Sequence, residues 1–175
     1  MKLPMHFGFE DEEGYYTMQG VASYFYPNNI MMFSSDVDWP RNTASTTTLL
    51  KKEGDKFLYL NMDAGKNAWI VFPKVDDITK AQINFFLCSQ TATNKPRCNI
   101  ELGVMTEPAN LNTFVKVSDY NAAEKWQRCY GNFTDYQGEG KYIALRWMEP
   151  KGQAYSTNYI DDVTIRSEER RVGKE

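Results

Sequence analysis

The feature that most constrains this chain is a strict period of two in its hydrophobicity. In Tyr142–Met148, Ile143, Leu145 and Trp147 alternate with Ala144, Arg146 and Met148; in Asn99–Met105, Ile100, Leu102 and Val104 alternate with Glu101, Gly103 and Met105. Successive strand side chains point to opposite faces, so each run is a ribbon with one apolar face. Further runs rich in β-branched and aromatic residues lie at Met5–Glu10, Tyr15–Met18, Lys56–Met62, Ala68–Phe72, Ala81–Ser89, Thr113–Val117, Lys125–Asn132 and Tyr159–Ile165. Clusters of Gly, Pro, Asn or Asp punctuate them, as in Asp63-Ala64-Gly65 and Pro150-Lys151-Gly152. Short, regularly punctuated strands predict an all-β sandwich or barrel. Only Tyr120–Lys125 has helical character, about one turn of it. Ser34–Thr48, rich in Ser, Thr, Asp and Asn, reads as a long surface loop around Trp39.

The 175 residues fit one domain with a real core, and 42% hydrophobic content is enough to fill it. A formal charge of −3 leaves nothing to neutralise a phosphate backbone, so nucleic acid is excluded as a partner. No apolar run reaches the roughly 18 residues of a membrane span, so no membrane insertion is expected. The N-terminus has no apolar signal-peptide core, and the chain is expected to be a fragment whose neighbouring domains are missing.

Catalytic chemistry is poorly supplied. The single histidine, His6, leaves a Ser-His-Asp or Cys-His arrangement almost without a candidate base. One His and three scattered Cys do not make an ordinary zinc site. Gly-rich phosphate loops are absent. Paired carboxylates suffice for glycoside hydrolysis, but acids are common on surfaces and indicate little by their number. The expectation is a chain that is not an enzyme. Cys88 and Cys98 flank the turn of a predicted hairpin, where they either bridge or, the preferred reading, stay with Cys129 as small core or edge thiols.

Four motifs together resemble a family of jelly-roll modules in surface and secreted proteins of Bacteroidetes, related to MAM and cleaved-adhesin domains. They are LPMHFGFED at Leu3–Asp11, AWIVFPKVDD at Ala68–Asp77, NIELGVMTEPANLNTFVKV at Asn99–Val117, and YIALRW at Tyr142–Trp147 paired with YIDDVTI at Tyr159–Ile165. The resemblance implies a two-sheet antiparallel β-sandwich of jelly-roll topology over residues 3–165. It also implies an extracellular or cell-surface setting and a non-catalytic role in adhesion, binding a glycan or a surface protein. The alternative is a structural spacer beside a larger surface enzyme. Arg166–Glu175, RSEERRVGKE, resembles a translated sequencing adapter and is set apart as a tail.

Two sets of residues are candidate sites. In such a fold the first and last strands lie close, so Glu10 and Asp11 approach Asp161 and Asp162. Crowded carboxylates suit a hard cation, and the resemblance implies a structural Ca²⁺ there; otherwise the acids are solvated. Alternation places Asp161 with Val163 and Ile165 and sets Asp162 on the other face, and Asp162 is expected to point inward. For a glycan, flat aromatics outside the core are needed to stack on sugar C–H faces. Trp39 in its polar loop, with Asp38, Arg41 and Asn42 as polar partners, and Tyr136 and Tyr155 in turn-like segments, are the candidates; Trp39 otherwise packs on Pro40. Trp69, Trp126 and Trp147 are expected to pack in the core.

Overall fold

The computed structural model describes residues 3–9, 23–25, 30–34, 41–44, 56–62, 67–90, 99–148 and 156–168. Within them the chain passes through β1 (Met5–Phe7), β2 (Ser23–Phe25), β3 (Met31–Ser34), β4 (Arg41–Ala44), β5 (Lys56–Met62) and β6 (Asn67–Val71). It continues through β7 (Ala81–Gln90), β8 (Asn99–Met105), β9 (Val115–Asn121), β10 (Gln127–Asn132), β11 (Tyr142–Met148) and β12 (Ser156–Ser167). These strands form two antiparallel sheets of six strands. The first has the order β10-β7-β12-β5-β4, with β1 also paired to β12; the second is β2-β3-β6-β11-β8-β9. From β5 to β8, and again from β9 to β12, each connection passes from one sheet to the other. The expected two-sheet jelly-roll sandwich is the observed one.

Alternation builds the core as anticipated. Ile83, Phe85 and Leu87 of β7 face Ile100, Leu102 and Val104 of β8 and Ile143, Leu145 and Trp147 of β11, all fully buried. Each such side chain contributes about 1.5–3 kcal/mol by leaving water. Phe7 and Phe72 close one region of the core with ring centroids 5.5 Å apart.

Several local expectations are corrected. Tyr120–Lys125 forms no helical turn: Tyr120 and Asn121 belong to β9, with Tyr120 opposite Ile100. The Tyr120 ring meets Phe85 edge-on at 5.1 Å and its hydroxyl donates to the Tyr130 carbonyl at 2.7 Å, contacts that override a weak local preference. Ser34–Thr48 is not all loop, because Arg41–Ala44 pairs with β5. The hairpin that would set Cys88 opposite Cys98 does not form, since β7 and β8 lie in different sheets. Cys88 instead directs its thiol to the Glu124 carbonyl at 3.2 Å; Cys98 and the Tyr15–Met18 run lie outside the described residues. Beyond Ile165, Arg166 and Ser167 stay in register with Gln82 and Ala81, and the Glu168 amide donates to the Lys80 carbonyl. Residues 166–168 are therefore built into the first sheet.

The last strand changes neighbours midway. β5 pairs with Ser156–Ile160 and β1 with Val163–Ile165, while β7 runs along the opposite flank. At the changeover Asp161 faces Phe86 and Thr164 faces Asn84, so Asp162 and Val163 share Phe85 as their opposite residue. This is a β-bulge, and Asp162 adopts φ 49, a left-handed conformation that Asp tolerates better than most residues. The bulge resets the alternation, so Ile160, Val163 and Ile165 all enter the core.

Candidate functional site

The face of the second sheet turned away from the core carries an unusual set of side chains. Trp69 of β6 lies opposite Arg146 of β11, which lies opposite Glu101 of β8. These three sit out of phase with the core residues Ile70, Leu145 and Leu102, so alternation alone places them on the outer face. Arg146 Nη2 donates to Glu101 Oε2 at 2.7 Å, with the two side chains 23% and 8% exposed. The guanidinium also stacks on Phe114, its Cζ 4.8 Å from the ring centroid. Phe114 lies so close over Gly103 that a Cβ there would collide with the ring and come within 2.6 Å of the Val115 carbonyl.

Around this pair the surface is apolar. Val71, Met105 and Ala144 are fully buried although they point away from the core, and partly buried Met31, Trp69, Phe114 and Tyr142 pack against them. The result is a half-buried platform with aromatic edges and a fixed ion pair. Arg146 Nε is buried and has no hydrogen-bond partner among the described residues. Such an arrangement supplies apolar faces beside charged hydrogen-bonding groups held in one orientation, which is what a ring with a C–H face and a hydroxyl rim requires.

The residues anticipated from sequence are distributed differently. Asp38, Trp39, Tyr155, Glu10 and Asp11 lie outside the described residues. Arg41 and Asn42 are in β4, the last strand of the first sheet, opposite Tyr59 and Leu58. Tyr136 is partly buried against the core, and its hydroxyl accepts the Gly140 amide at 2.9 Å, so it holds the turn between β10 and β11.

Of the expected core tryptophans, Trp147 is fully buried in the core but Trp69 is on the platform. Trp126 precedes β10 and joins Phe57, Tyr159 and Cys88 in a cluster outside the core of the first sheet. The platform residues Trp69, Glu101, Phe114, Tyr142 and Arg146 were not anticipated as a site. Their parity was visible, but only the register of β6, β11 and β8 shows that they meet.

The acidic pair is corrected as well. Asp162 does not point inward; it is partly exposed and accepts the His6 Nε2–H at 2.8 Å on Oδ1. Asp161 is the buried one, fully enclosed, with one carboxylate oxygen accepting the Asp162 amide at 2.8 Å. Because of the bulge, both carboxyls sit on the side opposite the core. Among the described residues no three His, Cys, Asp or Glu side chains gather as a metal site. Among those same residues no helix is long and apolar enough to cross a membrane.

Protein-family models give no match to the chain, and curated protein sequences give none either. Solved structures do match. The K1 cleaved adhesin domain of Lys-gingipain from Porphyromonas gingivalis W83 superposes with a TM-score of 0.67 at 12% identity, covering 96% of this chain and 100% of that one. The K2 cleaved adhesin domain of Lys-gingipain gives 0.61 at 14%, over 93% and 99% of the two chains. TmCBM61, solved in complex with β-1,4-galactotriose, gives 0.56 at 12%, over 79% and 88%. At these identities the likeness establishes a shared β-sandwich fold.

Proposed function

We propose that this chain is a non-catalytic, glycan-binding module that works outside the cell, and that the platform on its second sheet is where sugar binds. The observation carrying the reading is the Arg146–Glu101 pair fixed between Trp69 and Phe114 on an outward sheet face. A buried ion pair is a poor stabiliser relative to apolar packing, so its place on a surface platform favours a recognition role. The pair would supply donors and acceptors for vicinal hydroxyls, and the partly buried Trp69 and Tyr142 would supply aromatic surface for the C–H side of a sugar ring. A neighbour in fold, TmCBM61, was solved with a galactan-type trisaccharide, which supports sugar as the ligand class. Affinity gel electrophoresis over a panel of soluble polysaccharides tests the proposal. Retardation by at least one glycan, lost in Trp69→Ala while the melting temperature holds, is expected. If no glycan retards the protein, or Trp69→Ala is retarded equally, the reading fails and a spacer role takes its place.

A structural Ca²⁺ belongs to the same proposal. The residues fit it at one point: Asp161 is a fully enclosed carboxylate where β12 changes neighbours, close to the end of β1. Phe9, just beyond β1, is buried in the core with φ 58, and Glu10 and Asp11 follow it directly. Ca²⁺ is a hard cation that takes carboxylate and carbonyl oxygens. Asp161 would be the central ligand, with Glu10 and Asp11 as the others. Asp162, engaged by His6 through Oδ1, is left out of this ligand set.

A further inference from the structure

We infer that the groove between the edge strands β9 and β10 is a second saccharide site, separate from the platform and suited to a neutral mono- or disaccharide unit. β9 ends the second sheet and β10 ends the first, so the groove opens where the two layers part. The turn between β10 and β11 closes one end of it. Its volume is about 610 Å³, within the range of about 300–1,000 Å³ typical of small-molecule sites.

Four observations define the ligand. The large hydrophobic residues that stand exposed among the described residues, Val115 at 51% and Tyr130 at 47%, both line this groove. Tyr130 borders the groove from the outer face of the first sheet, where its hydroxyl donates to Glu168 Oε1 at 3.0 Å.

Second, the groove contains polar groups that the fold does not use. Asp135 and Gln137 make no side-chain hydrogen bond among the described residues. Asn132 is already committed, its carbonyl oxygen accepting from the Thr134 amide and hydroxyl and its side chain also hydrogen-bonding Tyr130. The Tyr136 hydroxyl accepts from Gly140 and keeps its own proton. A carboxylate, one amide and a phenol beside the exposed Val115 side chain match a hydroxylated ring with an apolar side.

Third, the charge does not favour an anion. Lys116 is engaged by Asp119 at 3.1 Å, which leaves Asp135 as the charged group without a counter-ion in the groove. Fourth, the open edge of β9 is unsuited to an added peptide strand. Leu102 pairs with Ser118 and Gly103 with Lys116, so Val117 is an extra residue that bulges the edge and breaks the regular spacing a new strand needs.

The test is an amide chemical-shift titration of the whole chain with D-galactose, D-glucose, D-mannose, N-acetyl-D-glucosamine and the β-1,4-linked disaccharide of each. At least one should shift the amides of residues 115–118 and 130–138 along a saturable curve. The double variant Asp135→Ala/Gln137→Ala, which removes two solvent-facing side chains the fold does not use, should weaken that curve at least tenfold. Trp69→Ala should leave it unchanged, which separates this site from the platform. The inference is overturned if none of the eight sugars shifts these amides, or if the double variant titrates like the parent. It is also overturned if the same amides move with protein concentration alone, which assigns the groove to a second copy, or if only an extended alternating-apolar peptide moves them.

Discussion

Arg146 and Glu101 meet across the β11–β8 ladder through a single 2.7 Å charge-assisted bond on the outer face of the second sheet. Glu101 is too buried to be solvated if its partner leaves. Removing one member of a buried pair costs about 3–5 kcal/mol, whereas replacing both with apolar groups is often neutral. Arg146→Met should therefore lower the urea-unfolding free energy by about 3 kcal/mol, the low end because Arg146 is partly exposed. Glu101→Met/Arg146→Met should return to within about 1 kcal/mol of the parent and still fail to bind glycan. That combination separates stability from recognition.

Gly103 sets how close Phe114 lies to the sheet. A Cβ there meets the Phe114 ring, which can move, and the Val115 carbonyl oxygen at 2.6 Å, which is main chain and cannot move freely. Gly103→Ala should cost about 1–3 kcal/mol. It should also weaken glycan binding, because Phe114 is displaced from beneath the Arg146 guanidinium. Thermal melting and a binding isotherm on the same sample check both.

For the proposed Ca²⁺, a ligand that binds only the folded state must raise the melting temperature. Excess EDTA should lower it and added Ca²⁺ should restore it. In Asp161→Asn the EDTA effect should vanish, while in Asp162→Asn it should persist. An EDTA response that disappears in Asp162→Asn instead would reverse the assignment of the two residues.

Stability should fall on the alkaline side. Burial pushes the Cys129 thiol from its ordinary 9.0 up to about 11, and burial also raises the Tyr120 hydroxyl. Folded pKa values above the unfolded ones mean that the unfolded chain releases protons first. This contribution is therefore fully present below about pH 9 and is lost as pH rises towards 11. Chemical denaturation at successive pH values should show the decline, with a shallower slope in Cys129→Ala.

Much of the fold was legible in the sequence because one face of each central strand is apolar. Ile143, Leu145 and Trp147 could only point to a core, and they do. The site was less legible. In Ala68–Phe72 the run is apolar throughout, so nothing in its composition marks Trp69 as the member on the outer face; the register with Arg146 does. Glu101 and Arg146 are 45 residues apart, and their pairing depends on β8 and β11 being neighbours. The Asp161–Asp162 order was inverted for a different reason. A bulge forms where β12 exchanges β5 for β1, and strict alternation has no way to register a residue that occupies no place in the ladder.

The pairing of β1 with the second half of β12 has a mechanical consequence. Met5 lies opposite Ile165 and Phe7 opposite Val163, so the two ends of the described chain lie side by side and point the same way. Tension applied through both ends would open this ladder one residue pair at a time, like a zip, instead of loading its hydrogen bonds together in shear. Strung between other domains, such a unit would hang to one side of the tensioned chain, and its first strand would be the first part to yield.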